Sequence, residues 1–212
     1  MTAARIAVLG LGNLMRADDA VGMLAVQAMR ADSQIPPSIL LIDGGTLGLD
    51  LLYPLEGVTH LLALDAIEAG EAPGTVLRYA GDAIAEMPVT KSVHLLGFSD
   101  LIGAMRLIGT SPREIVVLGV QPTLVTWGTE LTPAVQTALP KLLEAALAQL
   151  EAWLSEAEQP GAPQSGAWKS AVAESRRPSA TRSLDQKSSP TTRQEEVVRP
   201  CSPAPAESAW YW

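Results

Sequence analysis

Residues 5–10, Arg-Ile-Ala-Val-Leu-Gly, form a short apolar run stopped by glycine. Three similar runs follow: Ser-Ile-Leu-Leu-Ile-Asp at 38–43, His-Leu-Leu-Ala-Leu-Asp at 60–65 and Glu-Ile-Val-Val-Leu-Gly at 114–119. Runs this brief, without polar alternation, suit strands covered on both faces. Between and after them lie longer stretches whose apolar residues recur at helical spacing. The first holds Val21, Leu24, Ala25 and Met29, the second Leu95, Phe98, Leu101, Ile102 and Met105, and the third Leu139, Leu142, Leu143, Ala146, Leu147 and Leu150. Strands alternating with helices imply right-handed crossovers and a parallel sheet. The expected fold is a three-layer α/β/α domain, a mostly parallel twisted sheet flanked by helices on both faces. Gly74 to Tyr79 predicts one further strand, at an edge.

The composition of the 212 residues, 47% hydrophobic and 18% charged, suits a globular chain. A formal net charge of −8 argues against a protein that binds by neutralising nucleic-acid phosphates or anionic lipid. One cysteine, Cys201, makes no internal disulfide, and two histidines are too few for a Cys/His zinc module. The N-terminal residues carry no A-x-A cleavage pattern, and no stretch of 18 apolar residues occurs. These features predict a cytoplasmic protein without membrane insertion.

The character of the chain changes near residue 158. Residues 1–158 hold almost every aliphatic side chain, with 8 basic and 18 acidic residues, net −10; residues 159–212 have 7 basic and 5 acidic, net +2, and are rich in Pro, Ser, Ala and Thr. The second part is too poor in apolar surface to offset its ordering entropy and is expected to be a disordered low-complexity tail. The chemistry is expected in residues 1–158.

Ligands of open α/β sheets bind outside the carboxyl ends of the strands, so the residues after each run are the informative ones. They are mostly acidic: Asp18 and Asp19 after the first run, Asp43 in Asp-Gly-Gly-Thr at 43–46, and Asp65 closing the third. Each has a structural alternative. Asp18, just before a helical stretch, reads as an N-cap; Asp19 would favour the helix dipole; Asp43 before two glycines could be a turn residue. Asp65 is harder to explain structurally, because a carboxylate ending an apolar strand is costly unless paired, hydrogen-bonded or bound to metal. His94 opens the second helical stretch, where a helix-start histidine is the structural alternative, and His60, at the amino end of its strand, reads as structural. Asp19, Asp65 and His94 together make a plausible oxygen and nitrogen shell for nickel, zinc, iron or manganese, between which the residues do not choose. The Gly-Leu-Gly-Asn at 10–13 resembles the start of a dinucleotide fingerprint, but Met15 stands where its third glycine belongs and two aspartates would face the pyrophosphate. Serine-hydrolase, P-loop and zincin motifs are absent from the sequence.

The order of motifs resembles the hydrogenase maturation proteases, the endopeptidases that trim the large subunit of nickel-iron hydrogenases. The matching pieces are VLGLGNLMRADDAVG at 8–22, IDGGTLGLDLL at 42–52, LLALDAIEAGEAPGT at 61–75, KSVHLLGFSDLI at 91–102 and VVLGVQP at 116–122. The resemblance implies a metal site at Asp19, Asp65 and His94. Many relatives have Glu where Asp19 stands and several have Gln where Leu95 stands. It also marks Asp43 as the candidate catalytic carboxylate of an aspartic-type peptidase. The implied partner is a nickel-iron hydrogenase large-subunit precursor, whose carboxyl-terminal extension is removed after nickel insertion, and the implied cofactor is the nickel carried by that precursor. A monomer is expected. The competing expectation is a non-catalytic binding module, either a nickel chaperone or a nucleotide-binding α/β domain. A chaperone would leave precursor length unchanged, and a nucleotide binder would be stabilised by a dinucleotide.

Overall fold

A computed structural model describes the backbone of residues 4–87 and 93–158; the side chains of residues 85, 86, 93–96, 157 and 158 lie outside the described set. The expectation for residues 159–212 falls outside the described residues.

Among the described residues, five strands form one sheet. In chain order they are β1 (Ile6–Leu11), β2 (Leu40–Gly45), β3 (His60–Ala66), β4 (Val76–Ala80) and β5 (Glu114–Val120), and their spatial order is β2-β1-β3-β5-β4. The β1–β2, β1–β3 and β3–β5 pairs are parallel, while β4 runs antiparallel to β5 at the edge, where a further strand was expected. Among the described residues, three α-helices cover the sheet: α1 (Val21–Ala31), α2 (Val93–Leu107) and α3 (Pro133–Glu158).

The pleat sorts the apolar runs onto two faces. Val8, Leu62, Leu64, Val116 and Leu118 pack with Val26 and Met29 of α1 and Leu142, Ala146 and Trp153 of α3. The alternate residues Ala7, Leu9, Leu61, Ala63 and Val117 pack with Phe98, Leu101 and Met105 of α2 and with Leu51 and Leu55. Three layers result, with α1 and α3 on one face and α2 on the other. The central strands β1, β3 and β5 are buried nearly throughout. β2 departs from the both-faces-covered expectation: it lies at an edge, is only partly buried, and runs to Gly45, so Asp43 lies within the strand.

Because β1 leads outward to β2 and β3 returns on its other side, the chain direction across the sheet reverses between β1 and β3. Their carboxyl ends flank the crevice in which open α/β sheets bind ligands.

Candidate functional site

The loop after β1 turns at Gly12, whose φ of 121° is open to glycine and whose N–H donates to the carbonyl of Gly45 at 3.0 Å. Asn13 then donates its N–H to Oδ2 of Asp19 at 3.0 Å and accepts the N–H of Met15 on Oδ1 at 2.9 Å. The chain enters a short 3-10 helix, Ala17–Ala20, whose four residues are all buried. Ala17 has φ of 48°, an unfavourable conformation for a residue with a Cβ, and its N–H is fixed by the carbonyl of Gly128 at 2.7 Å.

Asp18 corrects the expectation of an N-cap. The 3-10 turn separates it from α1, whose N-cap is Ala20 with no side-chain cap bond. Fully buried, the Asp18 carboxylate instead accepts the backbone N–H groups of Thr123 at 2.8 Å, Leu124 at 3.0 Å and Thr132 at 2.7 Å, and the Thr132 hydroxyl at 2.9 Å. It fastens both ends of the β5–α3 loop to the β1–α1 loop.

Asp19 is nearly buried. Its 3-10 helix rests on β3, and immediately beyond it Gly22 of α1 packs so closely over the strand ends that a Cβ there would collide with the carbonyls of Leu64 and Leu11. Asp65 follows Leu64, is wholly buried, and accepts the N–H of Ala66 on Oδ1 at 2.8 Å. The segments carrying Asp19 and Asp65 thus meet over the β1/β3 crevice. By the pleat, Asp65 belongs to the face covered by α2. His94 lies in the first turn of α2, and its side chain is outside the described residues. Among the described residues, which exclude that imidazole, no group of three His, Cys, Asp or Glu side chains is placed to hold a metal.

Asp43 is exposed at the carboxyl end of β2. Its register pairs it with Gly10, and Gly10 with Leu64, which faces α1 and α3. Asp43 therefore lies on the opposite sheet face from Asp65. His60 begins β3 at the amino end, as expected. Its ring stands 5.2 Å from that of Trp153, its Nδ1 is 2.9 Å from the Thr59 hydroxyl, and burial lowers its pKa from 6.5, with Glu114 and Glu156 opposing and Arg113 assisting.

Among the described residues, cavities adjoin the β1–α1 loop. One, of about 230 Å³, is lined by Leu11, Asn13, Arg16 and the 45–48 turn, with Gly97 of α2 closing it. The other, of about 450 Å³, is lined by Asn13, Arg16, Val125, Thr126 and Trp127. Asn13 and Arg16 belong to both.

Gln121 was not singled out by sequence reasoning, although it sits in the VVLGVQP motif. It is almost fully buried; Oε1 accepts the N–H groups of Ala69 at 2.8 Å and Glu71 at 3.1 Å, while Nε2 donates to Oε1 of Glu68 at 2.9 Å. It fixes the segment that continues from Asp65. A polar residue closing an apolar run, as at Asp65, was the available signal.

The fold and the site define an α/β protein whose buried carboxylates gather at the switch point of a mostly parallel sheet. A profile of the hydrogenase maturation protease family matches residues 23–149. The hydrogenase expression/formation protein HupD of Bradyrhizobium diazoefficiens is 36% identical over 152 residues, 70% of this chain and 79% of that protein, and the hydrogenase 2 maturation protease of Escherichia coli is 34% identical over 148 residues, 69% and 90% respectively. Among solved structures, the hydrogenase maturating endopeptidase HybD from E. coli superposes with a TM-score of 0.64 at 33% identity, covering 69% of this chain and 92% of that one. The chain belongs to the hydrogenase maturation protease family, and its class of activity is that of an endopeptidase.

Proposed function

We propose that this protein removes the carboxyl-terminal extension of a nickel-iron hydrogenase large-subunit precursor after nickel insertion, and that Asp19, Asp65 and His94 read the nickel held by the precursor. The observation that carries the reading is the meeting of the Asp19 and Asp65 segments over the β1/β3 crevice, two buried acidic residues on separate elements at the place where such sheets bind ligands. Buried carboxylates have lost water, so a cation presented to them gains more than it would at the surface. An empty precursor lacks that gain, and the difference in affinity is the specificity.

The nickel is substrate cargo in this scheme, and the protease supplies ligands in place of water. Hydrolysis adds water across the scissile amide: its oxygen bonds to the carbonyl carbon, the C–N bond breaks, and the proton lost by water passes to the departing amine. Asp43, exposed near the carboxyl end of β2, is the candidate base for that transfer, which makes the enzyme a carboxylate-dependent, aspartic-type peptidase. It acts as a cytoplasmic monomer. Incubating precursor with and without inserted nickel, followed by intact-mass measurement, tests the reading. Loss of a peptide from the loaded form alone is expected, and equal cleavage of both forms would remove nickel from the recognition step.

A further inference from the structure

We propose that the β5–α3 loop, strapped down by Asp18, is a preformed wall whose Trp127 takes an apolar side chain of the precursor polypeptide beside the bond to be cleaved. This rests on the endopeptidase reading above. Trp127 is 80% exposed, and Leu124 and Val125 on the same loop and Met15, whose backbone carbonyl accepts the N–H of Gly128, are also exposed. Large apolar side chains grouped on a surface mark a binding site more often than a lone exposed one does.

Such a loop would ordinarily be mobile, and a tryptophan on it would lose much of its binding energy to ordering. Here the loop is held at three places. The Asp18 carboxylate ties residues 123–124 and Thr132, and between them Gly128 exchanges backbone hydrogen bonds with the strained 15–17 segment, donating to the Met15 carbonyl at 3.0 Å and accepting from Ala17 at 2.7 Å. The indole is therefore presented next to a fixed backbone bridge.

The occupant follows from the reaction and from the shape of the surroundings. An endopeptidase must hold chain on both sides of the cleaved bond. The two cavities share Asn13 and Arg16 as lining residues, and Asn13 donates its N–H to the carboxylate of Asp19. A chain running extended past the Asp19 segment occupies one cavity with each flank. The wider cavity, walled by Val125 and Trp127, receives a bulky apolar side chain, and tryptophan is among the residues that dominate such contacts.

The test uses the full chain and Trp127→Ala and Trp127→Phe variants. Because Trp127 is exposed, neither change removes core packing. With nickel-loaded precursor, Trp127→Ala is expected to raise KM at least about tenfold with kcat little changed, and Trp127→Phe to restore most of the loss. An unchanged KM, or a fall confined to kcat, overturns the proposal. Binding of fluorescent synthetic peptides covering the precursor's carboxyl-terminal region is measured alongside. Apolar-to-serine replacements in the peptide should weaken binding to the wild-type chain and make little difference to Trp127→Ala. If the wild-type chain binds these peptides through Trp127 yet leaves the precursor uncut, the wall stands and the endopeptidase reading falls. If it cuts the precursor but Trp127→Ala binds and cuts equally well, only the wall falls; if the wild-type chain binds none of the peptides, the wall falls as well.

Discussion

The carboxylate of Asp18 accepts both the backbone N–H and the hydroxyl of Thr132, at 2.7 and 2.9 Å, across 114 positions of sequence. With Thr123 and Leu124 also donating to it, one buried side chain replaces the solvent of three amide groups in the β5–α3 loop. Removing it leaves those donors unsatisfied. Asp18→Ala is expected to lower stability by about 3 kcal/mol, and Asp18→Asn by less, since the amide keeps one accepting oxygen. Chemical denaturation of the two variants measures this, and a loss under about 1 kcal/mol for the alanine variant would show that the loop is held by other means.

Asp19 and Asp65 invite the converse experiment. If they serve the cation rather than the fold, neutral isosteres should separate activity from stability. Asp19→Asn and Asp65→Asn are expected to process nickel-loaded precursor at least about a hundredfold more slowly while stability stays within about 2 kcal/mol of wild type. His94→Ala should behave alike. Single-turnover cleavage and thermal melting, run on the same preparations, give both numbers; normal processing by any of the three would move the site elsewhere.

The layered fold was legible because the central strands carry unbroken apolar runs and the helices carry a 3.6-residue period, and both signals are local. The burial of Asp65 in the candidate site was legible for the same reason: it ends an apolar run in which a charge is costly, and that incongruity survives without a structure. What Asp18 does was not legible. An aspartate just before a helical pattern has the local signature of a cap, and only the tertiary fold brings residues 123–132 to it. The face on which Asp43 lies was hidden too, because it depends on register with β1, a relation between strands rather than within one. Trp127 drew no attention in the sequence, since exposure follows from the path of a loop and leaves no periodic trace.

Gly22 shows how tightly the fold sets the spacing of the site. A Cβ at this position would meet the carbonyl oxygens of Leu64 and Leu11, rigid backbone atoms at the ends of β3 and β1. Gly22→Ala must lift the start of α1 away from the sheet, and with it the 3-10 turn that carries Asp19. The expected cost is about 3 kcal/mol or more, together with loss of processing beyond what stability explains. Measuring cleavage well below the variant's melting temperature separates the two effects. Wild-type activity there would mean that Asp19 tolerates displacement from β3.

His60 gives the amino end of the sheet a pH dependence distinct from that of the carboxyl end. Burial against Trp153 disfavours the imidazolium and is the largest influence on its pKa; Arg113 acts in the same direction, and Glu114 and Glu156 recover part of the shift. The folded state therefore binds its proton less readily than the unfolded chain, whose histidine titrates near 6.5. The stability conferred by neutral His60 is fully present above that value and is lost as pH falls through the lower folded pKa, because the unfolded chain takes up the proton first. Melting temperature should fall on acidification from about pH 7.5 to about pH 5 in the wild-type chain, and fall less in His60→Gln, which has nothing to protonate at that position. Carboxylate titration is common to both proteins, so the difference between their curves isolates the histidine. Parallel curves through that window would mean that the imidazole is equally easy to protonate folded and unfolded, and that its contact with Trp153 does not disfavour the charged ring.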